Sequence, residues 1–127
     1  MVVSTPAAPP GDATADAIDA VFHALADSTR RDILARTLER EHSVTELAEA
    51  YPVSFAAVQK HVAVLERAQL VAKRPDHRHR WVRARPETLR TVGAVLDELE
   101  STWRGRVERF REALAEDTLI DPTEEEQ

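Results

Sequence analysis

The segment from Ser43 to Val71 constrains the fold of this chain most, because its pattern predicts two helices separated by a tight turn. Ser43 and Glu46 have capping-box spacing, in which the Ser43 hydroxyl accepts from the Glu46 backbone N–H and the Glu46 side chain accepts from the Ser43 N–H. Helical geometry is disfavoured at Tyr51 because Pro52 follows it. The sequence therefore predicts a short helix before this proline and a second helix after it.

The second of these helices has one apolar face and one small, polar face. Ser54 is a good N-cap residue, and apolar residues then recur every three or four positions. The residues expected in the core are Phe55, Val58, Val62 and Leu65. Small residues near the start of a helix let its backbone approach a DNA groove closely. The residues left for the other faces are Ala56, Ala57, Gln59, Lys60, Ala63 and Arg67. The pair is typical of a helix-turn-helix, and an ordinary two-helix corner is the alternative.

A short basic hairpin is predicted after the second helix. Pro75-Asp76 marks a turn, and the segment R-W-V-R at residues 80–83 alternates polar with apolar residues, as a half-buried strand does. Arg78 and Arg80 fall on one side of such a strand, and Trp81 falls on the other. We therefore expect Trp81 to hold the hairpin on the core.

Positive charge is concentrated in the same part of the chain. Residues 60–85 contain eight Lys and Arg against two acids, although the whole chain has a net charge of −6. Nine of the 23 acidic residues lie outside residues 21–115, whereas all 17 Lys and Arg lie within that range. The local excess indicates an anionic partner, for which double-stranded DNA is the candidate. A solvated basic face is the alternative.

Several ordered segments carry a family resemblance. They are F-H-A-L-A-D-S-T-R-R-D-I-L at residues 22–34, V-T-E-L-A at 44–48, S-F-A-A-V-Q-K-H-V-A-V-L-E-R-A-Q-L-V at 54–71, and the basic hairpin ending in R-W-V. Over roughly residues 16–114 the chain resembles the arsenic-repressor-type (ArsR) winged helix-turn-helix regulators. It departs from them at Gln69, where the family usually has Gly. Either a left-handed Gln69 costs about 1 kcal/mol, or the turn there has another shape.

The resemblance implies a mainly α fold with a small β-hairpin wing, and a homodimeric DNA-binding transcriptional repressor. It also implies that the helix beginning at Ser54 enters the major groove and that the first and last helices form the dimer interface. Gln59 and Lys60 would then contact bases, while Thr45, Ser54 and His61 would contact phosphates. For His61, packing between helices is the alternative. The wing residues expected on DNA are Lys73, Arg74, Arg78 and Arg80, and Ala56 and Ala57 would face DNA closely.

The first and last helices carry apolar residues beyond the needs of one small domain. The last helix begins at Pro86 and repeats apolar residues every three or four positions; about 25 residues of helix span about 40 Å, roughly twice what such a domain covers. This excess predicts packing on a second subunit, and folding back on its own domain is the alternative. The residues expected at the dimer interface are Ile18, Phe22, Leu96, Leu99, Trp103 and Phe110.

Asp27 is expected to cap a helix whose first turn contains Arg30 and Arg31. Two cations at a helix N-terminus oppose the helix dipole. This suggests a carboxylate or a phosphate partner, and of the two we expect an internal salt bridge.

Metal sensing is not expected from the residues available. The chain has no Cys, and the last helix has no His. His77 and His79 stand beside Asp76, but Arg78 and Arg80 surround them and would repel a cation. A metal site built from other His and carboxylate groups is the alternative. We expect no cofactor, and the sequence does not identify an inducing ligand.

Catalysis is not expected either. The chain contains only three Gly, with no Gly-rich phosphate loop, no His-Glu-x-x-His motif and no Cys nucleophile. A winged helix that binds a protein through the same surface is the alternative function. The basic hairpin beside Gln59 and Lys60 favours DNA.

Length and composition indicate one modest domain. With 127 residues, of which 43% are hydrophobic, the chain can bury one core. We expect a flexible arm over residues 1–14, the DNA-binding and dimerisation domain over residues 15–115, and an acidic tail over residues 116–127. No signal peptide and no run of about 18 apolar residues are evident. We therefore expect a cytoplasmic protein that does not enter a membrane.

Overall fold

A computed structural model describes residues 4–126, with side chains described over residues 15–116. It is mainly α with a small antiparallel sheet, as the sequence predicts. The elements in chain order are α1 (Ser4–Leu25), α2 (Ser28–Glu39), β1 (His42–Ser43), α3 (Val44–Glu49), α4 (Phe55–Arg67), β2 (Val71–Asp76), β3 (His79–Ala84) and α5 (Pro86–Glu126). No helix among the described residues is long and apolar enough to cross a membrane.

The chain forms two compact units, the first ending at Val92 and the second beginning at Gly93. The core of the first unit draws fully buried side chains from each of its main elements. They are Val21, Ile33, Leu47, Val58, Val62, Leu65, Leu70, Val71 and Val82. The second unit consists of the remainder of α5.

Both predicted caps of the helix-turn-helix are present. The Glu46 backbone N–H donates to Ser43 Oγ, and the Ser43 N–H donates to Glu46 Oε1, each at 3.0 Å. Ser54 Oγ accepts from the Ala57 backbone N–H, also at 3.0 Å. The caps fix where α3 and α4 begin, and Pro52 lies in the turn between them.

The apolar stripe of α4 is buried from Val58 onwards, but Phe55 is 47% exposed. The prediction that Phe55 lies in the core is therefore wrong. Phe55 is the first residue of α4, and the core packed against this helix begins one turn later. Phe55 continues the helical period of Val58, Val62 and Leu65. It lies beyond the end of the buried core that these three residues contact.

The sheet has the strand order β1-β3-β2, with both pairings antiparallel. The short strand β1 was not predicted. In the hairpin, Lys73 lies opposite Val82 and Pro75 lies opposite Arg80. Val82 is fully buried, whereas Trp81 is only half-buried, with its ring centroid 5.8 Å from that of His79. The expectation that Trp81 holds the hairpin on the core is wrong, because the alternation of the strand gives that position to Val82.

Gln69 closes α4 in the left-handed conformation, with a φ of 64°. The Leu70 N–H donates to the Leu65 carbonyl at 2.9 Å, and the Gln69 N–H donates to the Glu66 carbonyl at 3.0 Å, as in a Schellman motif. Thr88 Oγ1 donates to the Gln69 carbonyl at 2.5 Å. The turn at Gln69 is therefore left-handed, a conformation that Gly adopts without steric cost.

Arg30 and Arg31 bind the C-terminus of α1. Arg30 Nε donates to the Ala24 carbonyl at 2.7 Å, and Arg31 Nη1 donates to the Leu25 carbonyl at 2.7 Å. The expected carboxylate or phosphate partner is therefore wrong for these direct contacts. The last carbonyls of a helix carry partial negative charge and have no partner within the helix. Here they accept hydrogen bonds from the two guanidinium groups, in place of a carboxylate or phosphate.

The predicted arm and tail fall partly outside the described residues, which exclude residues 1–3 and 127. Helix α1 begins at Ser4, within the segment predicted to be an arm, and α5 ends at Glu126, within the predicted tail. The boundaries at residues 14 and 116 stay predictions.

Candidate nucleic-acid interface

A groove lies between α3, α4 and the hairpin formed by β2 and β3. It brings together five of the polar residues predicted to contact DNA, namely Thr45, Gln59, Lys73, Arg78 and Arg80. Three apolar residues complete its lining, namely Val44, Phe55 and Val62. The five polar residues come from two helices and from both strands and the turn of the hairpin, and the fold places them along one surface.

Local structure explains why each of these polar side chains reaches the groove. Thr45 lies in the first turn of α3, and Gln59 lies one turn after Phe55 on α4. Lys73 faces the groove from β2, where it pairs in register with Val82 of β3. Arg80 is two residues before Val82, so both side chains project from the same face of the strand.

Arg78 occupies the two-residue turn of the hairpin together with His77. His77 has a φ of 58°, in the left-handed region. Two-residue hairpins favour a positive φ at their first central position, and His enters this region more readily than most residues other than Gly. The turn therefore carries a basic side chain at its tip without a glycine.

Charges in the groove are unevenly neutralised. Lys73 Nζ lies 3.3 Å from Glu66 Oε1, which joins the start of the hairpin to α4. Within residues 15–116, no carboxylate forms an ion pair with Arg78 or Arg80, and both side chains are exposed. Two guanidinium groups without an internal counter-charge make this surface suited to a polyanion.

Arg74 lies on the face of β2 opposite to Lys73 and is not among the residues lining the groove. Its Nη2 lies 2.9 Å from Glu41 Oε1, and its Nη1 lies 3.8 Å from Asp76 Oδ2. The hydrogen bond to Glu41 raises the pKa of Arg74 and, in turn, lowers the pKa of Glu41. A DNA contact by Arg74 stays a prediction.

His61 is half-buried on α4 and has partners within the fold. Its Nδ1 lies 3.2 Å from Arg30 Nη1 and 3.9 Å from Asp27 Oδ2. The Asp27 carboxylate also accepts from the Arg30 backbone N–H at 3.0 Å. This hydrogen bond is the main cause of the lowered pKa of Asp27. The geometry agrees with helix packing, and a phosphate contact by His61 stays a prediction.

The remaining residues predicted to contact DNA, at the N-cap of α4 and on α4 itself, lie outside the groove lining. Ser54 uses its hydroxyl oxygen as the helix cap, while its hydroxyl proton stays available to a phosphate. Ala56 and Lys60 are exposed, and Ala57 is half-buried. Their DNA contacts also stay predictions.

The residues predicted at the dimer interface include five large apolar side chains that are exposed in one chain. In the first unit Phe22 is exposed and Ile18 is half-buried. In the second unit the exposed residues are Leu96, Leu99, Trp103 and Phe110, with Trp103 at 65%. Each unit therefore presents apolar surface of the kind that a second subunit covers.

Within the described part of the chain, no three His, Asp or Glu side chains are grouped as metal ligands. His77 Nε2 lies 3.6 Å from Asp76 Oδ1 at the tip of the hairpin. His79 is directed instead to the ring of Trp81. The pair alone offers fewer ligands than a structural or sensory metal site requires.

Comparison with known proteins gives consistent matches. A family model described as a helix-turn-helix domain matches residues 25–74. HTH-type transcriptional regulator Rv2034 of Mycobacterium tuberculosis is 40% identical over 79 residues, which cover 62% of this chain and 74% of that protein. The ArsR-like transcriptional regulator from Rhodococcus sp. RHA1 has a similar structure, with a TM-score of 0.71 and 29% identity, covering 79% of this chain and 94% of that one.

A third match concerns the fold alone. The homodimeric winged helix-turn-helix DNA-binding domain of Mb0332 from Mycobacterium bovis aligns with a TM-score of 0.59 and 22% identity. The alignment covers 70% of this chain and 83% of that one. The groove described above is thus built on a winged helix-turn-helix scaffold.

Proposed function

The chain belongs to the ArsR-type family of winged helix-turn-helix transcriptional regulators, and we propose that it is a homodimeric repressor that binds operator DNA through this groove. The observation that carries the proposal is the convergence of five polar residues from α3, α4 and the hairpin onto one surface, namely Thr45, Gln59, Lys73, Arg78 and Arg80. Within residues 15–116 no carboxylate pairs with Arg78 or Arg80, and a phosphate backbone supplies a counter-charge.

The helix-turn-helix and the wing have different roles in this proposal, and the contacts extend from the groove to residues beside it. Gln59 and Lys60 on α4 contact base edges in the major groove, where an amide binds adenine and an ammonium binds guanine. Thr45, Ser54 and His61 contact phosphates and fix the register. The wing residues Lys73, Arg78 and Arg80 follow the backbone, and Ala56 and Ala57 let α4 approach closely.

Dimerisation doubles this surface. Two-fold symmetry would present two copies of α4 to successive major grooves, about 34 Å apart. The exposed apolar side chains of α1 and α5 support this assembly, as does the homodimeric state of Mb0332, which has the same fold. Repression follows if the dimer occupies DNA that a polymerase needs. Such a regulator works where the chromosome lies, so we propose a cytoplasmic protein.

Footprinting of the purified protein on the DNA upstream of its own coding sequence tests the proposal. We expect protection of an imperfect palindrome, and an affinity that falls steeply as salt rises. A scrambled duplex of equal length is the control, and it should bind more weakly with a similar salt dependence. Reduced transcription in vitro from the protected promoter would support repression. Equal, salt-insensitive binding to both duplexes would favour the alternative of a protein-binding winged helix.

We also propose that metal ions do not regulate DNA binding by this protein. The support is the set of metal-ligating side chains that the sequence offers. The chain has no Cys, and α5 has no His. We expect Zn²⁺, Cd²⁺ or arsenite at one equivalent per protomer to leave operator affinity unchanged. Release of DNA at that stoichiometry would instead indicate His and carboxylate ligands that the sequence pattern does not reveal.

A further inference from the structure

We infer that Phe55 is a specificity-determining residue that reads the 5-methyl group of thymine in the bound DNA. The inference rests on the proposed function and adds a contact of different chemistry to the same groove. Phe55 is the first residue of α4, the helix proposed to enter the major groove, and it lines the groove with Thr45 and Gln59.

Exposure of Phe55 leaves its ring free for a contact outside the core. Its side chain is 47% exposed although it continues the periodic spacing of Val58, Val62 and Leu65, which are buried. A half-exposed phenyl ring gains little from the core and keeps much of its apolar surface in water. Covering that surface on binding would be favourable, provided that the partner offers an apolar group at this position.

The surroundings of Phe55 indicate what that partner is. The groove around it is mainly polar and basic, with Lys73, Arg78 and Arg80 on the wing side. An apolar protein segment would leave these cations desolvated and unpaired, at a cost that a single phenyl contact does not offset. DNA satisfies both requirements, since its phosphates pair with the cations while thymine presents a methyl group at the floor of the major groove.

Spacing along α4 also favours a base contact. Phe55 and Gln59 are four residues apart and therefore lie on the same face of the helix. A helix that enters the groove by its N-terminal end brings its first residues to the base edges. Gln59 can bind adenine there by two hydrogen bonds, and Phe55 contacts a neighbouring thymine. Together they favour A·T pairs at adjacent positions of each half-site.

Replacement of single thymines by deoxyuridine tests the inference, because it removes the methyl group and keeps the base-pair hydrogen bonds. The duplex is the footprinted upstream site, and affinity is measured by fluorescence anisotropy for each replacement. For the unmodified protein we expect about fourfold weaker binding at one thymine per half-site, the value of one buried methyl group. Phe55→Ala should bind the parent site more weakly and lose this sensitivity, whereas Phe55→Leu should keep part of it.

Val53→Ala is the matched control. Val53 is 44% exposed, close to the exposure of Phe55, and lies in the turn before α4 without lining the groove. This variant should keep the full deoxyuridine sensitivity. Circular dichroism and thermal unfolding of each variant establish that it is folded before its affinity is compared.

The outcomes separate the inference from the proposed function. Identical deoxyuridine profiles for the unmodified protein and Phe55→Ala, with salt-dependent DNA binding intact, would overturn the inference and leave the function standing. Unchanged DNA affinity in Phe55→Ala would also overturn it, because the ring would then make no favourable contact with DNA. Absence of any salt-dependent binding to duplex DNA would overturn the proposed function and the inference with it.

Discussion

Arg30 Nη1 lies 3.2 Å from His61 Nδ1, which joins the first turn of α2 to the middle of α4. The same guanidinium donates through Nε to the Ala24 carbonyl and through Nη2, at 3.2 Å, to the His23 carbonyl. One side chain thus connects the last turn of α1, the start of α2 and the helix proposed to read DNA. We expect it to contribute to stability more than its position near the surface indicates.

Arg30→Lys tests this connection. Lysine keeps the positive charge, but its single ammonium cannot reach three acceptors in the geometry of a planar guanidinium. We expect the free energy of unfolding in urea to fall by about 1–2 kcal/mol. Arg31→Lys is the matched control, because Arg31 makes one such contact, to the Leu25 carbonyl. Equal losses in the two variants would show that the additional contacts of Arg30, with His61 and with the His23 carbonyl, add nothing.

Tyr51 joins the turn before α4 to α2 by a hydrogen bond, and ionisation of its hydroxyl lowers the stability of the fold at alkaline pH. Its hydroxyl donates to Asp32 Oδ2 at 2.5 Å, and burial, together with this hydrogen bond, raises the pKa of Tyr51 to about 12. The unfolded value is about 10, so this group stabilises the native state fully below about pH 10, and its contribution is lost as pH rises through about 12. Tyr51→Phe should lack that loss and be less stable at neutral pH by about 0.5–1 kcal/mol, since solvent screens the exposed carboxylate.

The measurement is direct because Tyr51 is the only tyrosine in the chain. Tyrosinate absorbance in the folded protein therefore titrates this hydroxyl alone. Unfolding by urea at neutral and alkaline pH then compares the unmodified protein with Tyr51→Phe. A titration midpoint of about pH 10 for tyrosinate absorbance in the folded protein would contradict the hydrogen bond to Asp32.

The sequence predicts the helix-turn-helix well because its signals are local. The capping box at Ser43 and Glu46, the proline at Pro52 and the cap at Ser54 each act within a few residues of the chain. Strand β1 could not be predicted in this way. It has two residues, and it exists only because β3 provides backbone partners for His42 and Ser43 from about 40 positions further along.

The two errors in the predicted core have different causes. Periodicity shows which face of an element a residue occupies, but it does not show where along the element the core begins and ends. Phe55 has the right period and lies one turn too early. Trp81 has the greater apolar surface, yet the register with Lys73 and His42 gives the buried position to Val82. The five groove residues were predicted individually, and their meeting on one surface required the tertiary structure.

Gln69 carries a measurable conformational cost. A left-handed residue other than Gly loses about 1 kcal/mol, while the hydrogen bond that Arg85 Nη1 donates to Gln69 Oε1 offsets part of that loss. Gln69→Gly removes both effects and should stay within about 0.5 kcal/mol of the unmodified protein in urea unfolding. Gln69→Ala keeps the cost and loses the hydrogen bond, so it should be about 1 kcal/mol less stable than Gln69→Gly. Equal stability of the two variants would exclude a left-handed conformation here.

Trp103→Glu tests the proposed dimer. Trp103 is 65% exposed in one chain, so a charge at this position is tolerated in the monomer but opposes burial against a second subunit. We expect sedimentation at micromolar concentration to give a dimer for the unmodified protein and a monomer for this variant, with weakened operator binding. Leu38→Glu is the control, since Leu38 is 47% exposed on α2 and is not proposed to lie at the interface. A monomeric unmodified protein would contradict the assembly.

The wing gives a prediction about salt. If Arg78 and Arg80 each neutralise one phosphate, each releases its condensed counterion on binding and carries no information about base identity. The combined substitution Arg78→Ala with Arg80→Ala should then weaken binding to the operator and to a random duplex by similar factors. The slope of log K against log salt should decrease by about 2 per protomer.

Arg83→Ala separates the effect of the groove from that of total charge. Arg83 lies on β3, three residues after Arg80, so its side chain projects from the opposite face of the strand and does not line the groove. Its removal should leave the slope nearly unchanged although it also lowers the net charge. Arg74→Ala in the same series measures whether the ion pair with Glu41 keeps Arg74 from DNA. If the double variant keeps the full slope while Arg83→Ala reduces it, the outer face of the wing contacts the phosphate backbone instead of the groove.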